Sequence, residues 1–334
     1  MRIAVLHSAV ALEPPVDPLI EQVHTVLETL QHDVVRVSAA DDVLPVVEEL
    51  RKYQPDLVIN LAESFAGVSA LESNVAALLN LLNLRYTGSS PAGLLLAGDK
   101  SLTKKVLRFH SIQTPEFATV YRGAMDWGGD NIKFPVIVKP PQEDASIGIT
   151  GASVVHDLKE LFGRIDSLQS EFKAPVLVEE FIDGREYYVG VIGNFDAHAL
   201  PVMEMDFSGL PKGMLKIASW EAKWGADGSG EGEGAEKSAE FAGTKSIFPT
   251  GLDEELVEKM QRIAVEAFDA LRLRDYARID LRVTDEGEVY VIEVNPNCYL
   301  ERNAEFARAA EKDGLPYHAL IARIVELAAA RYSR

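Results

Sequence analysis

The chain has 334 residues, 47% apolar and 25% charged, an ordinary globular make-up with room for two or three compact units. Its formal net charge of −19 excludes non-specific binding to nucleic acid or to an anionic membrane, which needs a basic surface; a small phosphorylated ligand needs only a local cluster of cations. The lone cysteine, Cys298, excludes an intrachain disulfide and most cysteine-based metal sites, and no apolar run reaches the length of a membrane span, so a reducing cytoplasm is expected.

MRIAVLH carries the arginine and apolar run of a weak signal peptide, but His7 interrupts it and Glu13-Pro14-Pro15 ends it, so a first buried strand is expected. LIEQVHTVLETL (Leu19 to Leu30) then reads as an amphipathic helix, DVVRV as a strand, VLPVVEELRKY as a helix and DLVIN as a third strand. Such alternation predicts a parallel sheet covered by helices. The unit closes with the helix SALESNVAALLNLL and RYTGSS, a short strand and turn, ending near Gly98. From Asp99 the texture changes. DKSLTKKVLRFH is a basic helix, VIVK a short strand ending at Lys139, and PPQEDASIGIT a loop without a bulky residue before Ile147. A helix (HDLKELFGRI), a strand (APVLVEEFI) and DGREYYVGVIGN follow. Gly225 to Ser246 is rich in Gly, Glu, Ala and Ser, which predicts a mobile surface loop; its acids argue against a phosphate-binding glycine loop. A long helix over LDEELVEKMQRIAVEAFDALRL, two strands and a closing helix around LIARIVELAAARY complete the chain.

Those last two strands, ARIDLRV and EVYVIEVN, flank DEGE, a hairpin turn signal with Gly287 able to take positive φ. A two-residue loop of Glu286 and Gly287 sets Asp280 opposite Glu293 and Arg278 opposite Asn295. On the other face it pairs Ile279 with Val294, Leu281 with Ile292 and Val283 with Tyr290, a continuous apolar surface. Two carboxylates directly opposite one another repel, and a cation between them is the simplest relief. Asp280, Glu293 and Asn295 are hard oxygen donors suited to Mg²⁺, which keeps waters and shares substrate phosphates. Arg278 beside them can neutralise an anionic substrate or transition state. The other reading of this pattern is a solvated face whose charges, with Arg282, form salt bridges. Pairing geometry alone leaves both open.

YTGS, DK, VIVKP…SIG, VEEFIDGRE, EAKW, ARID and EVN, in that order from Arg85 onward, resemble the ATP-grasp enzymes, and specifically the D-alanine–D-alanine ligase branch. The resemblance implies an α/β protein in three parts: an N-terminal parallel α/β unit over residues 1–98, a central ATP-grasp subdomain over 99–190 and a C-terminal one over 191–334, with α+β texture in the ATP-grasp part. It implies nucleotide-phosphate contacts from Lys100, Lys139 and Lys223, and a small-residue loop at Ser146 and Gly148 that closes over the phosphates. Glu179 matches the acid that takes the adenine amino group, Phe181 and Ile182 the hinge after it, and Glu186 the acid on the ribose hydroxyls. Asp280, Glu293 and Asn295 match the Mg²⁺ ligands, with Mn²⁺ as a substitute ion, and Arg278 matches the arginine at the tetrahedral centre. Arg278, Lys223 and Ser146 are the expected catalytic groups. The implied partners are a small-molecule carboxylate and an amine, of amino-acid type. ATP converts the carboxylate to an acylphosphate, the amine displaces phosphate through an oxyanion, and an amide or peptide bond, ADP and phosphate result. A homodimer is the family's habit.

The substrate side departs from that family. Its His-Gly-x-x-Gly-Glu-Asp-Gly motif is here NLAESFAGVSALES, which keeps acids such as Glu63 and Glu72, and its N-terminal Gly-Gly loop is HSAVALEPPVDP. Its small-residue-loop serine is Ala145, the partner tyrosine is Trp224, and a substrate-binding serine aligns with Ala304. After Asn295 comes Pro296-Asn297-Cys298-Tyr299-Leu300. Glu63, Glu72, Trp224, Asn297 and Tyr299 are therefore candidate substrate residues, and a substrate pair other than two D-alanines is expected. The rival expectations are a genuine D-alanine–D-alanine ligase, a non-catalytic protein that binds ATP or an amino acid, and an ATP-grasp enzyme whose acceptor is not an amine. Glu63 and Glu72 also read as helix-flanking acids, and Cys298, with no histidine near it in sequence, as a buried or substrate-lining thiol.

Overall fold

A computed structural model describes residues 1–8, 17–122, 124–127, 132–142, 148–217 and 243–332. The first sheet is parallel, in the order β2 (Asp33–Ala39), β1 (Arg2–Ser8), β3 (Leu57–Leu61), with α1 (Pro18–Thr29) and α2 (Val43–Tyr53) as the crossovers. The apolar run that weakly resembled a leader lies at its centre, where Ile3, Ala4, Val5 and Leu6 are fully buried. Asp17 and Asp42 cap the two helices by accepting from the backbone N–H of Leu19 and Leu44. A single 3₁₀ turn, Ser69–Leu71, leads into α3 (Glu72–Leu81). RYTGSS makes one parallel bridge, Tyr86 to Val58, rather than a strand. It runs into α4 (Pro91–Ala97), a helix not expected from sequence although Ser90-Pro91 spells an N-cap followed by proline in the first turn. The basic helix, α5 (Lys100–Phe109), follows.

The second sheet is antiparallel. Its order is β5 (Ala124–Trp127), β4 (Phe117–Tyr121), β8 (Val176–Glu180), β6 (Val136–Lys139), β7 (Val154–Val155), and α6 (Leu158–Phe172) packs Ile165 and Leu168 against Val136, Val138 and Val178. The third sheet runs β12 (Lys245–Ile247), β11 (Met203–Asp206), β9 (Arg185–Gly193), β13 (Asp275–Val283), β14 (Val289–Pro296), with β10 (His198–Ala199) also on β9. α7 (Glu254–Ala270) shares one core with this sheet through Met260, Ala264 and Phe268. α8 (Glu305–Lys312) and α9 (Tyr317–Arg331) share another, which runs on into β1 and α1 through Ile3, Val5 and Val23. The N-terminal unit and the third sheet thus share one apolar interior.

The β13–β14 hairpin keeps the expected pairing where it matters but reaches it differently. Gly287 N–H donates to Thr284 O and Thr284 N–H to Glu288 O, both at 3.0 Å, so the loop has three residues, Asp285 to Gly287, with Gly287 at φ +81°. Near the turn the register therefore slips by one: Leu281 faces Val291 and Val283 faces Val289, in place of Ile292 and Tyr290. A β-bulge between Asp280 and Leu281 skips Ile292 and restores the frame, so that Asp280 faces Glu293, Ile279 faces Val294 and Arg278 faces Asn295. Val289, Val291 and Val294 then fill the core, and Ile292 leaves it for the cleft wall.

Candidate active site

A cleft opens between the second and third sheets. Lys139 from the end of β6, Glu179 to Ile182 from the end of β8, Glu186 from β9, Asp280 and Arg282 from β13, and Ile292 and Glu293 from β14 all line it. Pro115, Ile137, Ile149 and Ile217 complete an apolar slot. Residues 115 to 293 in sequence converge here because five strands end, or pass, at one edge.

The basic helix brings two lysines inward. Lys100 sits at its first position, behind the Asp99 cap, and its Nζ stands 2.9 Å from Glu293 Oε1. Lys104, one turn on, is 1% exposed, with Nζ 2.9 Å from Glu179 Oε2. Lys139 Nζ stands 2.6 Å from the other Glu179 oxygen. Burial pushes Lys104 down to about 8, against the pull of Glu179. Burial alone raises a carboxyl, yet Lys104 and Lys139 outweigh it and hold Glu179 below the usual carboxylate range. Lys104 was missed from sequence, although its spacing of four from Lys100 puts both on one helical face.

Glu186 is fixed by Arg282, whose Nε and Nη2 donate to one of its oxygens at 3.1 and 2.8 Å, and by the Tyr188 hydroxyl at 3.0 Å. Arg282 also donates to the carbonyls of Ile182, Gly184 and Lys216, which ties the segment after β8 to the third sheet. Arg282 is 5% exposed, so it forms no part of a solvated salt-bridged face. Arg278 donates through Nε and Nη2 to both oxygens of Asp280, at 2.8 and 2.9 Å, and its guanidinium lies 4.8 Å from the Tyr188 ring centre. Burial disfavours the charge on Arg278, but Asp280 and then Glu305 outweigh it and hold the group firmly protonated.

Asp280 and Glu293 therefore face each other across the hairpin, each beside a cation of the protein's own, Arg278 and Lys100. Asn295 lies next along, its amide nitrogen 3.5 Å from the Arg278 carbonyl. Among the described residues, no three His, Cys, Asp or Glu side chains converge as a metal cage. Two carboxylates and an amide form a sparse oxygen set, which fits an ion that takes its remaining ligands from phosphates and water.

Of the candidate substrate residues, Glu63, Glu72, Asn297 and Tyr299 are not among those lining the cleft; several gather where β14 leaves the sheet. Asn297, at φ +48°, accepts from Ser89 N–H at 2.8 Å and donates to Glu72 at 3.4 Å. A Cβ on Gly88 would come within 2.2 Å of the Asn297 amide oxygen, so only glycine fits there. The Tyr299 hydroxyl donates to Asp17 at 2.8 Å; burial, with Asp17, Glu301 and Glu63, raises that phenol. Cys298 is 6% exposed, and burial pushes its thiol far up, which removes it as a nucleophile. Ser146, Lys223 and Trp224 lie outside the described residues. Gly148 accepts from Arg164 through its carbonyl at 2.7 Å, and the next residue, Ile149, lines the cleft.

A parallel α/β unit followed by two sheets that grip a cleft between them is the layout of the ATP-grasp enzymes. The family model for the D-ala D-ala ligase C-terminus matches residues 105–326. The uncharacterized protein y4sG of Sinorhizobium fredii is 30% identical over 95% of this chain and 89% of its own length. The D-alanine–D-alanine ligase of Aquifex aeolicus is 30% identical over 90% of each. In fold, the Bacillus anthracis D-alanine–D-alanine ligase solved with ATP matches with a TM-score of 0.73 over 100% of this chain and 99% of that one, at 21% identity. The chain belongs to the D-alanine–D-alanine ligase family and is an ATP-grasp ligase that forms a carbon–nitrogen bond.

Proposed function

We propose that the protein uses ATP and Mg²⁺ to join the carboxylate of one small molecule to the amine of another, both of amino-acid type, through an acylphosphate, and that the pair is not two D-alanines. The observation that carries the ATP half is the facing pair Asp280 and Glu293 at one wall of a cleft that also presents Lys139, Glu179 and Glu186. Asp280, Glu293 and Asn295 would hold the ion, Mg²⁺ or Mn²⁺, which supplies charge neutralisation at the transferring phosphoryl group. Ile137, Ile149, Ile217 and Ile292 bound an apolar slot for the base and exclude water. Glu179 takes the adenine amino group, with Phe181 and Ile182 beside it, and Glu186, set by Arg282 and Tyr188, takes the ribose. Lys100 and Lys139, with Lys223 and the Ser146–Gly148 loop, serve the phosphates. Arg278, backed by Tyr188, meets the oxyanion.

The substrate half is supported by the stretch after Asn295. Asn297 is bound to Ser89 and Glu72, and Tyr299 to Asp17, so these groups brace the N-terminal unit where the family motif has other residues. Residues 185–193 form one strand of the third sheet, so we place the division between the two ATP-grasp subdomains just before Arg185 rather than at 190. No helix among the described residues is long and apolar enough to cross a membrane, and we place the reaction in the cytoplasm, where ATP is held.

The test is ADP release with Mg-ATP against amino acids offered singly and in pairs, D-alanine included. The expected outcome is release that needs two substrates. Full-rate release with D-alanine alone overturns the substrate half, and no release with any pair overturns the ligase reading for amino acids. Glu293→Gln should lower turnover by about 10²-fold or more while the circular dichroism melt is retained. Unchanged turnover would remove Glu293 from the metal site.

A further inference from the structure

We propose that Glu305 is the positioning residue for Arg278, holding the guanidinium in place when Asp280 turns to the metal ion; this rests on the roles given above to Arg278 and Asp280. In the structure both oxygens of Asp280 are engaged by Arg278, at 2.8 and 2.9 Å. A cation drawing on that carboxylate competes for the same lone pairs and repels the guanidinium, so the two-pronged pair must loosen. Arg278 then needs a second anchor. Its remaining nitrogen, Nη1, stands 3.5 Å from Glu305 Oε2, a weak contact while Asp280 holds the arginine. The Tyr188 ring beneath sets the plane of the guanidinium but not its direction along that plane.

Glu305 is built to serve as that anchor. It opens α8, where the helix N-terminus favours an acid. Ser246 on β12 donates to its other oxygen, Oε1, at 2.8 Å, which fixes the carboxylate and turns Oε2 toward Arg278. The contact joins residues 27 positions apart, with α8 and β13 brought together by the third sheet's core.

The test joins two measurements. First, urea unfolding of the full chain without nucleotide is followed for Arg278→Met, Glu305→Gln and the double variant, in the wild-type and Asp280→Asn backgrounds; where Arg278→Met does not fold, Arg278→Lys replaces it. The expected coupling is about twofold in the unfolding constant in the wild type, rising to about tenfold once Asp280 is neutralised. No coupling, or equal coupling in both backgrounds, overturns the proposal. Second, Glu305→Gln should lower kcat about ten- to hundredfold with KM for ATP within about twofold, Glu305→Asp should recover part of it, and Glu305→Gln should cost nothing further in an Arg278→Lys enzyme. Wild-type kcat in Glu305→Gln overturns the proposal. Wild-type kcat in Arg278→Lys instead overturns the role of Arg278, and the unfolding cycle then decides by itself whether Glu305 holds the arginine.

Discussion

Lys104 shows how a single buried charge sets a testable pH dependence. Its ammonium is pushed down to about 8 by burial, from an ordinary 10.5, with Glu179 pulling the other way. Because the folded value lies below the unfolded one, the folded chain releases this proton first, and stability is gained, not lost, as pH climbs from about 8 to 10.5. What is lost is positive charge: two lysines around one carboxylate leave the cluster cationic at neutral pH and neutral above it. ATP affinity should therefore fall about three- to tenfold between pH 7 and 9, read by calorimetry, and Lys104→Met should flatten that profile. A profile unchanged by the substitution would place Lys104 outside the field of the phosphates. The residue was within reach of the sequence, as it stands four positions from Lys100. Its burial was not, because a lysine on an amphipathic helix reads as solvated until Glu179 arrives from β8.

The β13–β14 hairpin carries the same lesson at the scale of an element. The facing pairs Asp280–Glu293 and Arg278–Asn295 were legible from the turn and the period-2 alternation, but two compensating features were not: a three-residue loop and a bulge that skips Ile292. A straight two-residue hairpin puts Ile292 in the core, whereas the bulged one puts Val291 there, 1% exposed, and Ile292 in the cleft wall. The two registers predict opposite outcomes. Val291→Ala should cost about 2–3 kcal/mol in urea unfolding with little change in ATP binding. Ile292→Ala should cost less than about 1 kcal/mol while weakening ATP binding several-fold. The reverse order would restore the bulge-free pairing. α4 and α8 were passed over for a simpler reason: both are short, and a helix of two turns gives little periodicity to read.

Across the whole molecule, the first and third sheets are held as one body by a few buried polar contacts as well as by their shared apolar interior. Arg331 near the end of α9 pairs with Asp275, which is 0% exposed, at 2.7 Å, and Asp275 in turn accepts from Gly88 N–H at 2.7 Å. Arg331→Ala leaves that carboxylate without its cation and should cost about 3–5 kcal/mol in thermal or urea unfolding. A loss within about 0.5 kcal/mol would show that the shared apolar interior alone joins the units. Taken by itself, the order of residues determined the succession of strands and helices, the facing acids of the last hairpin and the likeness to ATP-grasp ligases, because alternation, turns and short motifs are local. Only the tertiary structure decided that Lys104 and Lys139 close on Glu179, that Glu305 reaches Arg278, and that Asn297 braces Ser89 across 208 positions of chain. Those contacts depend on how three sheets stack, and no period within a strand or a helix encodes which distant residue a side chain will meet.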